Sequence, residues 1–229
     1  MKSIHHLAIA IAALLSVSGA AHAQIVNGGF ETPITTPGFY TDFSSGSTAL
    51  TGWTSVGPAG TDVAVVSTSY VQLGVAFEAQ SGNQWLDLTG DGSNSTDGVS
   101  QSVATTAGHH YELSFYVGNT SGGGAFGTTS TVNVLLNGNL SFTAENSTPD
   151  ADSLTWSQFT YDFVATGPTV LTFLNGDPDY DNSNGLDSVA LVDNGAVSSV
   201  PEPDSAVLTL AALALVAVTR RLNSKARVG

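Results

Sequence analysis

The chain has 229 residues and a formal net charge of −14, with five Lys and Arg against nineteen Asp and Glu, and no cysteine. All five cations lie at the ends, at Lys2, Arg220, Arg221, Lys225 and Arg227, so Gln24 to Val200 holds 17 carboxylates and no Lys or Arg. Such a surface repels phosphate backbones and anionic headgroups, which excludes nucleic acid as a partner. The lack of cysteine excludes disulfide staples, thiol catalysis and Cys-ligated zinc.

The N-terminus reads as a secretory signal peptide over residues 1–23. Lys2 gives the positive region, Leu7 to Val17 the apolar stretch, and Ala21-His22-Ala23 the small-x-small cleavage site, so the mature chain is expected to start at Gln24.

Residues 24–195 read as one β domain. Tyr111, Leu113, Phe115 and Val117 alternate with Glu112, Ser114 and Tyr116, and Phe159 to Phe163 alternates in the same way. Thr131 to Leu136 and Leu140 to Thr143 flank Asn137-Gly138, a type I′ hairpin signal. Further strands are expected at Ile25–Phe30, Asp62–Ser67, Gln84–Leu88, Val99–Ala104, Thr169–Leu174 and Leu186–Val192, and no internal segment has the helix period. Short strands with Gly-rich turns predict an all-β fold, an antiparallel β-sandwich of jelly-roll type, with helix confined to the signal segment and a short transmembrane-like tail.

Several carboxylates are candidate metal ligands, because groups without cationic partners must be solvated, hydrogen-bonded or bound to a hard cation such as Ca²⁺. Asp177, Asp179 and Asp181 follow the one-three-five spacing of an EF-hand loop, but Asn182 stands where that loop needs Gly and Ser188 where it needs Glu. Asp91, Asn94 and Asp97 lie in an acidic turn that could ligate a cation or a sugar hydroxyl. Trp53, Trp85 and Trp156 sit at strand positions that favour the core, whereas Tyr40, Tyr70 and Tyr180, near turns, are the candidates for sugar stacking. Catalysis is not expected. His109 and His110 are adjacent and point to opposite faces of a strand and no Gly-x-Ser-x-Gly elbow exists; a glycosidase needs only two acids at the right distance, and Glu31, Glu78, Glu112 and Glu145 are the candidates for such a pair.

A succession of segments gives the domain a family likeness. Val26-Asn27-Gly28-Gly29-Phe30-Glu31, Leu50-Thr51-Gly52-Trp53, Trp85-Leu86-Asp87-Leu88, Gly98-Val99-Ser100-Gln101 and Gly185-Leu186-Asp187-Ser188-Val189 resemble, in that order, galactose-binding-like jelly rolls, which include many carbohydrate-binding modules. The resemblance implies a structural Ca²⁺ site at Glu31 and Asp187, where the Glu of the opening motif meets the Asp of the final strand. Ser188 departs from the pattern, since the family usually places Asp or Asn there.

Residues 196–205 form a linker carrying Pro201-Glu202-Pro203, and residues 206–229 an apolar helix with a basic tail closed by Arg220-Arg221. Thirteen helical residues from Ala206 to Val218 extend only about 20 Å. This order resembles the PEP-CTERM sorting signal of Gram-negative bacteria, although Leu222 to Gly229 extends past the arginines where such tails usually stop. It implies an exosortase-type transpeptidase as partner, transient inner-membrane anchoring, and delivery to the cell surface or extracellular matrix in a setting of exopolysaccharide and biofilm. The combined expectation is an exported, non-catalytic protein that binds extracellular polysaccharide, with Ca²⁺ as the one candidate cofactor. The alternatives are a purely structural Ca²⁺-dependent matrix protein and, behind it, an ice-binding protein or a glycoside hydrolase. Intact-mass measurement on protein from its native host tests the export reading: the mature species should begin at Gln24 and end near Pro201-Glu202-Pro203, and surface protein retaining both Met1 and Gly229 would refute it.

Overall fold

The computed structural model describes residues 24–91, 95–121, 127–177 and 184–196, among which there are thirteen strands and no helix. The expected signal and sorting segments, with Ala21, Ala23, Pro201, Glu202, Pro203, Arg220 and Arg221, lie outside the described residues. In chain order the first strands are β1 (Tyr40–Ser44), β2 (Thr54–Val56), β3 (Asp62–Ser67), β4 (Val71–Gln72), β5 (Val75–Ala76), β6 (Gln84–Asp87) and β7 (Gly98–Val103). They are followed by β8 (His109–Asn119), β9 (Ser130–Leu136), β10 (Asn139–Asn146), β11 (Thr155–Val164), β12 (Thr169–Asn175) and β13 (Gly185–Ala196). A six-stranded sheet runs β1-β3-β6-β13-β8-β11 and a five-stranded sheet runs β10-β9-β12-β7-β2, with β4 and β5 forming a small separate hairpin. The chain passes repeatedly from one sheet to the other, so the fold is the two-layered β-sandwich that the alternation demanded.

The main core lies between the layers. Phe115 and Phe173 are fully buried and meet edge to face at 5.2 Å, and Phe173 packs in the same way on Trp53 at 6.0 Å. Asn137 and Gly138 both take positive φ between β9 and β10, which is the conformation a type I′ hairpin requires. Phe159 and Tyr161, on the aromatic face of the alternating Phe159 to Phe163 run, are only half-buried against the core, because β11 is the edge strand of its sheet and one flank stays open.

The six-stranded sheet is buried on both faces at β3 and β6. Val63, Val65 and Leu86 belong to the core between the sheets, while Ala64, Val66 and Trp85 join Val75, Phe77 and Leu154 in a second cluster on the outer face. This explains why Asp62–Ser67 reads as a continuous apolar run rather than an alternating one. The β4–β5 hairpin covers this outer face, anchored where the Phe77 and Leu154 amides meet the Tyr70 and Ala76 carbonyls, each at 3.0 Å.

One expected strand is not a strand. Ile25 to Phe30 forms turns, with Asn27 and Phe30 in the left-handed region at φ 54° and 55°. Asn27 explains this locally: its amide donates to the Thr32 and Thr51 carbonyls at 2.6 and 3.0 Å, and its Oδ1 accepts the Thr32 N–H at 3.1 Å. Asn tolerates positive φ and replaces ladder bonds with side-chain ones. The segment still packs on β13, where the Val189 N–H donates to the Gly28 carbonyl at 2.9 Å, and a Cβ on Gly28 would overlap the Val189 carbonyl. Strands β1, β2, β4 and β5 were absent from the sequence reading.

Truncating the shared core aromatic, Phe173→Ala, should cost about 3–5 kcal/mol of stability. Val170→Ala, at an exposed position on the same strand, should stay within about 0.5 kcal/mol. Urea denaturation of the two variants checks this, and equal midpoints would contradict the core assignment.

Candidate functional site

The register across β1, β3 and β6 sets out two rows on the outer face. Tyr40 pairs with Val66 and Val66 with Trp85; Asp42 pairs with Ala64 and Ala64 with Asp87. An aromatic row therefore lies beside a carboxylate row, with a small residue between the two acids. The β4–β5 hairpin brings Tyr70, Gln72 and Phe77 over these rows, and the result is a pocket of about 260 Å³. Tyr40 meets Tyr70 edge-on at 5.6 Å, Tyr70 meets Phe77 at 5.7 Å, and Phe77 stacks on Trp85 at 6.2 Å and 10°. The wholly buried Trp85 forms the floor, fixed by its indole N–H to the Phe77 carbonyl at 3.0 Å.

Asp87 and Asp91 supply the charge of the pocket. Asp87 Oδ1 accepts the Thr89 N–H at 3.0 Å and the Thr89 hydroxyl at 2.7 Å. Asp91 is placed by its own N–H, which donates to Asp62 Oδ1 at 2.9 Å. The approach needs Gly90, whose φ is +62° and where any Cβ would collide with Asp62. The Tyr70 hydroxyl donates to Gln72 Oε1 at 3.1 Å. Burial first, and then the Asp91 charge, raises the Tyr40 phenol above its ordinary pKa; burial, Asp91 and Asp87 do the same for Tyr70. Burial raises the Asp42 and Asp62 carboxyls as well, with neighbouring acids adding to it.

A second constellation lies beyond the other end of β6. Glu31 Oε1 accepts the N–H groups of Asn83 and Gln84 at 2.8 and 3.2 Å. Asp187, fully buried on β13, accepts the Ser81 N–H at 3.1 Å and that of Ser188 at 2.5 Å. Ser188 sits at φ 53°, and this left-handed step breaks the strand alternation, so that Leu186 and Val189, three apart, both reach the core. Its hydroxyl bonds Gln80 Oε1 at 2.8 Å, so the Ser that departs from the family pattern holds the loop facing Asp187. Burial pushes the Asp187 carboxyl up to about 7, and Glu31 adds to the shift. Two carboxylates held together against this penalty are hard oxygen donors, the type of ligand Ca²⁺ takes; Glu31 and Asp187 are the residues that would hold it, the rest of its six to eight oxygens coming from carbonyls or water.

The other sequence candidates are dispersed. Asp177 hangs from Asn175, its N–H donating to Asn175 Oδ1 at 3.0 Å; Asp179, Tyr180 and Asp181 lie outside the described residues, as does Asn94. Asp97 is buried and accepts the Thr61 hydroxyl, so it is no surface ligand. Among the described residues no group of three or more His, Asp or Glu is arranged to hold a metal. His109 and His110 do face apart: His109 Nδ1 lies 3.0 Å from Asp193, and His110 3.9 Å from Asp162. Trp53 is a core residue and Trp156 half-buried, with its N–H on the Glu78 carbonyl at 2.9 Å. Sequence reasoning missed Phe77 and Asp87 as pocket walls, and its core assignment of Trp85 holds, the core in question being the outer cluster that floors the pocket. The signal was present in strand parity: Trp85 and Asp87 share a face, and both parities of β3 are apolar.

A family model described as HpiC1-like, HpiC1 cyclase, matches residues 21–173. No curated protein matches the chain. Similar solved structures include the CBM22-1 xylan-binding domain of Paenibacillus barcinonensis Xyn10C, at 20% identity and TM-score 0.43, covering 71% of this chain and 99% of that one. A family 35 carbohydrate-binding module from an environmental isolate matches at 14% identity and TM-score 0.40, covering 60% and 98%. An exo-β-1,3-galactanase of Phanerochaete chrysosporium matches at 17% and 0.39, covering 67% of this chain and only 29% of the galactanase.

The sign of the Asp187 shift gives a pH prediction. With a folded pKa near 7 against an ordinary 3.8, the folded state holds its proton more tightly than the unfolded one. The contribution is full below about pH 4 and is lost as pH rises through about 7. In EDTA the melting temperature of the full chain should therefore fall between pH 5 and 8, Ca²⁺ should remove that fall better than Mg²⁺, and Asp187→Asn should flatten the EDTA profile. An Asp187→Asn profile as steep as that of the parent would rule out this carboxyl as the source.

Proposed function

The chain belongs to the HpiC1-like family, and from that premise we propose that it is an exported, surface-held β-sandwich that binds extracellular polysaccharide in the aromatic pocket without transforming it. The observation that carries the reading is the pocket itself. Tyr40, Tyr70, Phe77 and Trp85 present aromatic surface of the kind that stacks on the C–H faces of a sugar ring, and Asp87, Asp91 and Gln72 stand where hydroxyl groups would be held. Its volume of about 260 Å³ lies just below the ordinary range for drug-sized ligands, which suits a single ring of a longer chain lying across an open mouth. The Glu31–Asp187 pair serves this reading as a structural Ca²⁺ site, tying the opening loop to the last strand away from the pocket. In this reading the N-terminal segment is a secretory signal and the Pro201-Glu202-Pro203 tail is handled by an exosortase-type enzyme, with the domain delivered to the outside of the cell.

The family description names a cyclase, and this favours one second reading: the same pocket holds a substrate that it returns as a cyclised isomer, with Asp87 or Asp91 as the acid. The two readings part on whether the ligand comes back unchanged.

Tyr70→Ala should weaken binding to an immobilised polysaccharide or glycan array about tenfold, since stacked aromatic anchors dominate such interfaces. The melting temperature should move by only a few degrees. Bound glycan recovered from the parent protein should be unchanged in mass and structure. A variant that binds as well as the parent would sink the pocket assignment, and an isomeric product from any ligand would establish the cyclase reading instead.

A further inference from the structure

We propose that Asn194-Gly195, at the end of β13, is a self-modification site: the Gly195 backbone nitrogen attacks the Asn194 side chain, with the Asp193 carboxylate as proton acceptor, and Asn194 slowly becomes aspartate and isoaspartate. The chain contains five Asn-Gly steps, beginning at Asn27, Asn137, Asn175, Asn184 and Asn194. Glycine has no side chain to hinder the attack, so all five share one local chemistry and the fold alone separates them. Attack needs Cγ to swing over the next backbone nitrogen, a near-attack geometry that a tethered amide does not reach. Four of the five are tethered. The Asn27 amide donates to the Thr32 and Thr51 carbonyls at 2.6 and 3.0 Å. Asn137 Oδ1 accepts the Val170 N–H at 2.8 Å. Asn175 and Asn184 are buried, and Asn184 Nδ2 donates to Asn175 Oδ1 at 2.7 Å. The Gly176 N–H donates to the Thr131 carbonyl at 2.8 Å, and a carbonyl, unlike a carboxylate, takes no proton.

Asn194 differs on both counts. Its side chain is exposed and has no hydrogen-bond partner among the described residues. Gly195 is at φ 88°, and its N–H donates to Asp193 Oδ1 at 2.8 Å. A carboxylate at that distance is within reach to act as a general base. Its position is fixed: Asp193 Oδ2 accepts the Tyr111 hydroxyl at 3.0 Å, His109 Nδ1 lies 3.0 Å from the same oxygen, and the Tyr111 hydroxyl accepts the Thr106 N–H at 2.9 Å. The Gly195 N–H above all, then His109 and Tyr111, hold the Asp193 carboxyl below its ordinary pKa, so it stays ionised. The atoms balance with water as the one co-reactant. The Gly195 proton passes to Asp193, the nitrogen bonds to Cγ to close an imide ring, and a proton returned to Nδ2 lets ammonia leave. Water then opens either imide carbonyl, with no change of oxidation state. The product sets a second carboxylate beside Asp193, in a domain with no Lys or Arg, next to the 196–205 segment that carries Pro201-Glu202-Pro203.

Peptide mapping by mass spectrometry on the full chain, sampled over weeks in neutral buffer, reads aspartate and isoaspartate at each of the five steps. Asn194 should convert at least about tenfold faster than Asn27, Asn137, Asn175 or Asn184, equivalent to about 1.4 kcal/mol in barrier. In urea, where the five steps lose their tethers, the rates should converge. Asp193→Asn keeps an acceptor for the Gly195 N–H but takes no proton. It should slow Asn194 about tenfold in the folded chain, the loss of a positioned base, and leave the rate in urea unchanged. Conversion led by any of the other four steps would overturn the site. A lead for Asn194 that is just as large in urea would overturn the structural account, since local sequence would then explain it. A folded-state rate in Asp193→Asn equal to or above that of the parent would overturn Asp193 as the proton acceptor.

Discussion

A domain with 17 carboxylates and no Lys or Arg must stabilise its negative charge without ion pairs to those side chains, and much of the architecture follows from how it does so. The backbone supplies the donors. Asp87, Asp150 and Asp193 each accept the N–H two residues ahead, from Thr89, Asp152 and Gly195, and so pin their own turns. Three others reach across the chain: Glu31 to Asn83 and Gln84, Asp187 to Ser81, and Asp62 to Asp91. Bonds of this charge-assisted type are worth about 1.5–3 kcal/mol each, more than a neutral pair. All three long-range ones converge on the stretch from Ser81 to Asp91, which carries β6 at its centre. The opening loop, the last strand and the pocket rim are thus organised by one short segment.

That segment is buried on both faces, and this explains where a site could form at all. Leu86 faces the core between the sheets, while Trp85 faces outward into a second apolar cluster that needs its own cover. The β4–β5 hairpin provides the cover but is only two residues per strand, too small to close over the whole outer face. Where it stops, Tyr40 and Tyr70 remain partly open, and Asp87 and Asp91 meet them at the edge. The pocket is the unfinished margin of a core.

The long strands were legible because they alternate against a single core face. β3 is matched to the residue, β8, β9, β11 and β12 are matched in position, and the β9–β10 turn follows from Asn137-Gly138. The short ones were not. β1 is exposed at four of its five positions and β2 has three residues, so neither shows a period. The opening segment was misread because Asn27 and Phe30 adopt positive φ, a backbone choice that hydrophobic patterning does not report. At the sites, the meeting of Glu31 with the final-strand Asp187 came from the family likeness and not from spacing. Tyr40 and Tyr70 were singled out as exposed aromatics near turns, but their convergence on Trp85 and Asp87 depends on the register of three strands and on where a hairpin folds back. No local window of sequence holds that information.

The two constellations divide the work of the acidic surface in a way their burial dictates. Asp187 is wholly enclosed, so its charge is costly and is relieved only by a proton or by a cation held within the fold. Asp91 lies exposed at a pocket mouth, where its charge is hydrated and can be exchanged for a ligand's donor at modest desolvation cost. A buried carboxylate of the first kind tunes stability, and an exposed one of the second kind tunes recognition. Tyr40 and Tyr70 strengthen the second role, because their rings lower the local dielectric around Asp91, and the Tyr70 hydroxyl is already committed to Gln72. The Asp91 backbone is therefore held by the bond of its own N–H to Asp62 Oδ1 and by a glycine-permitted turn before any ligand arrives, which removes part of the ordering cost that binding at a loop would otherwise carry.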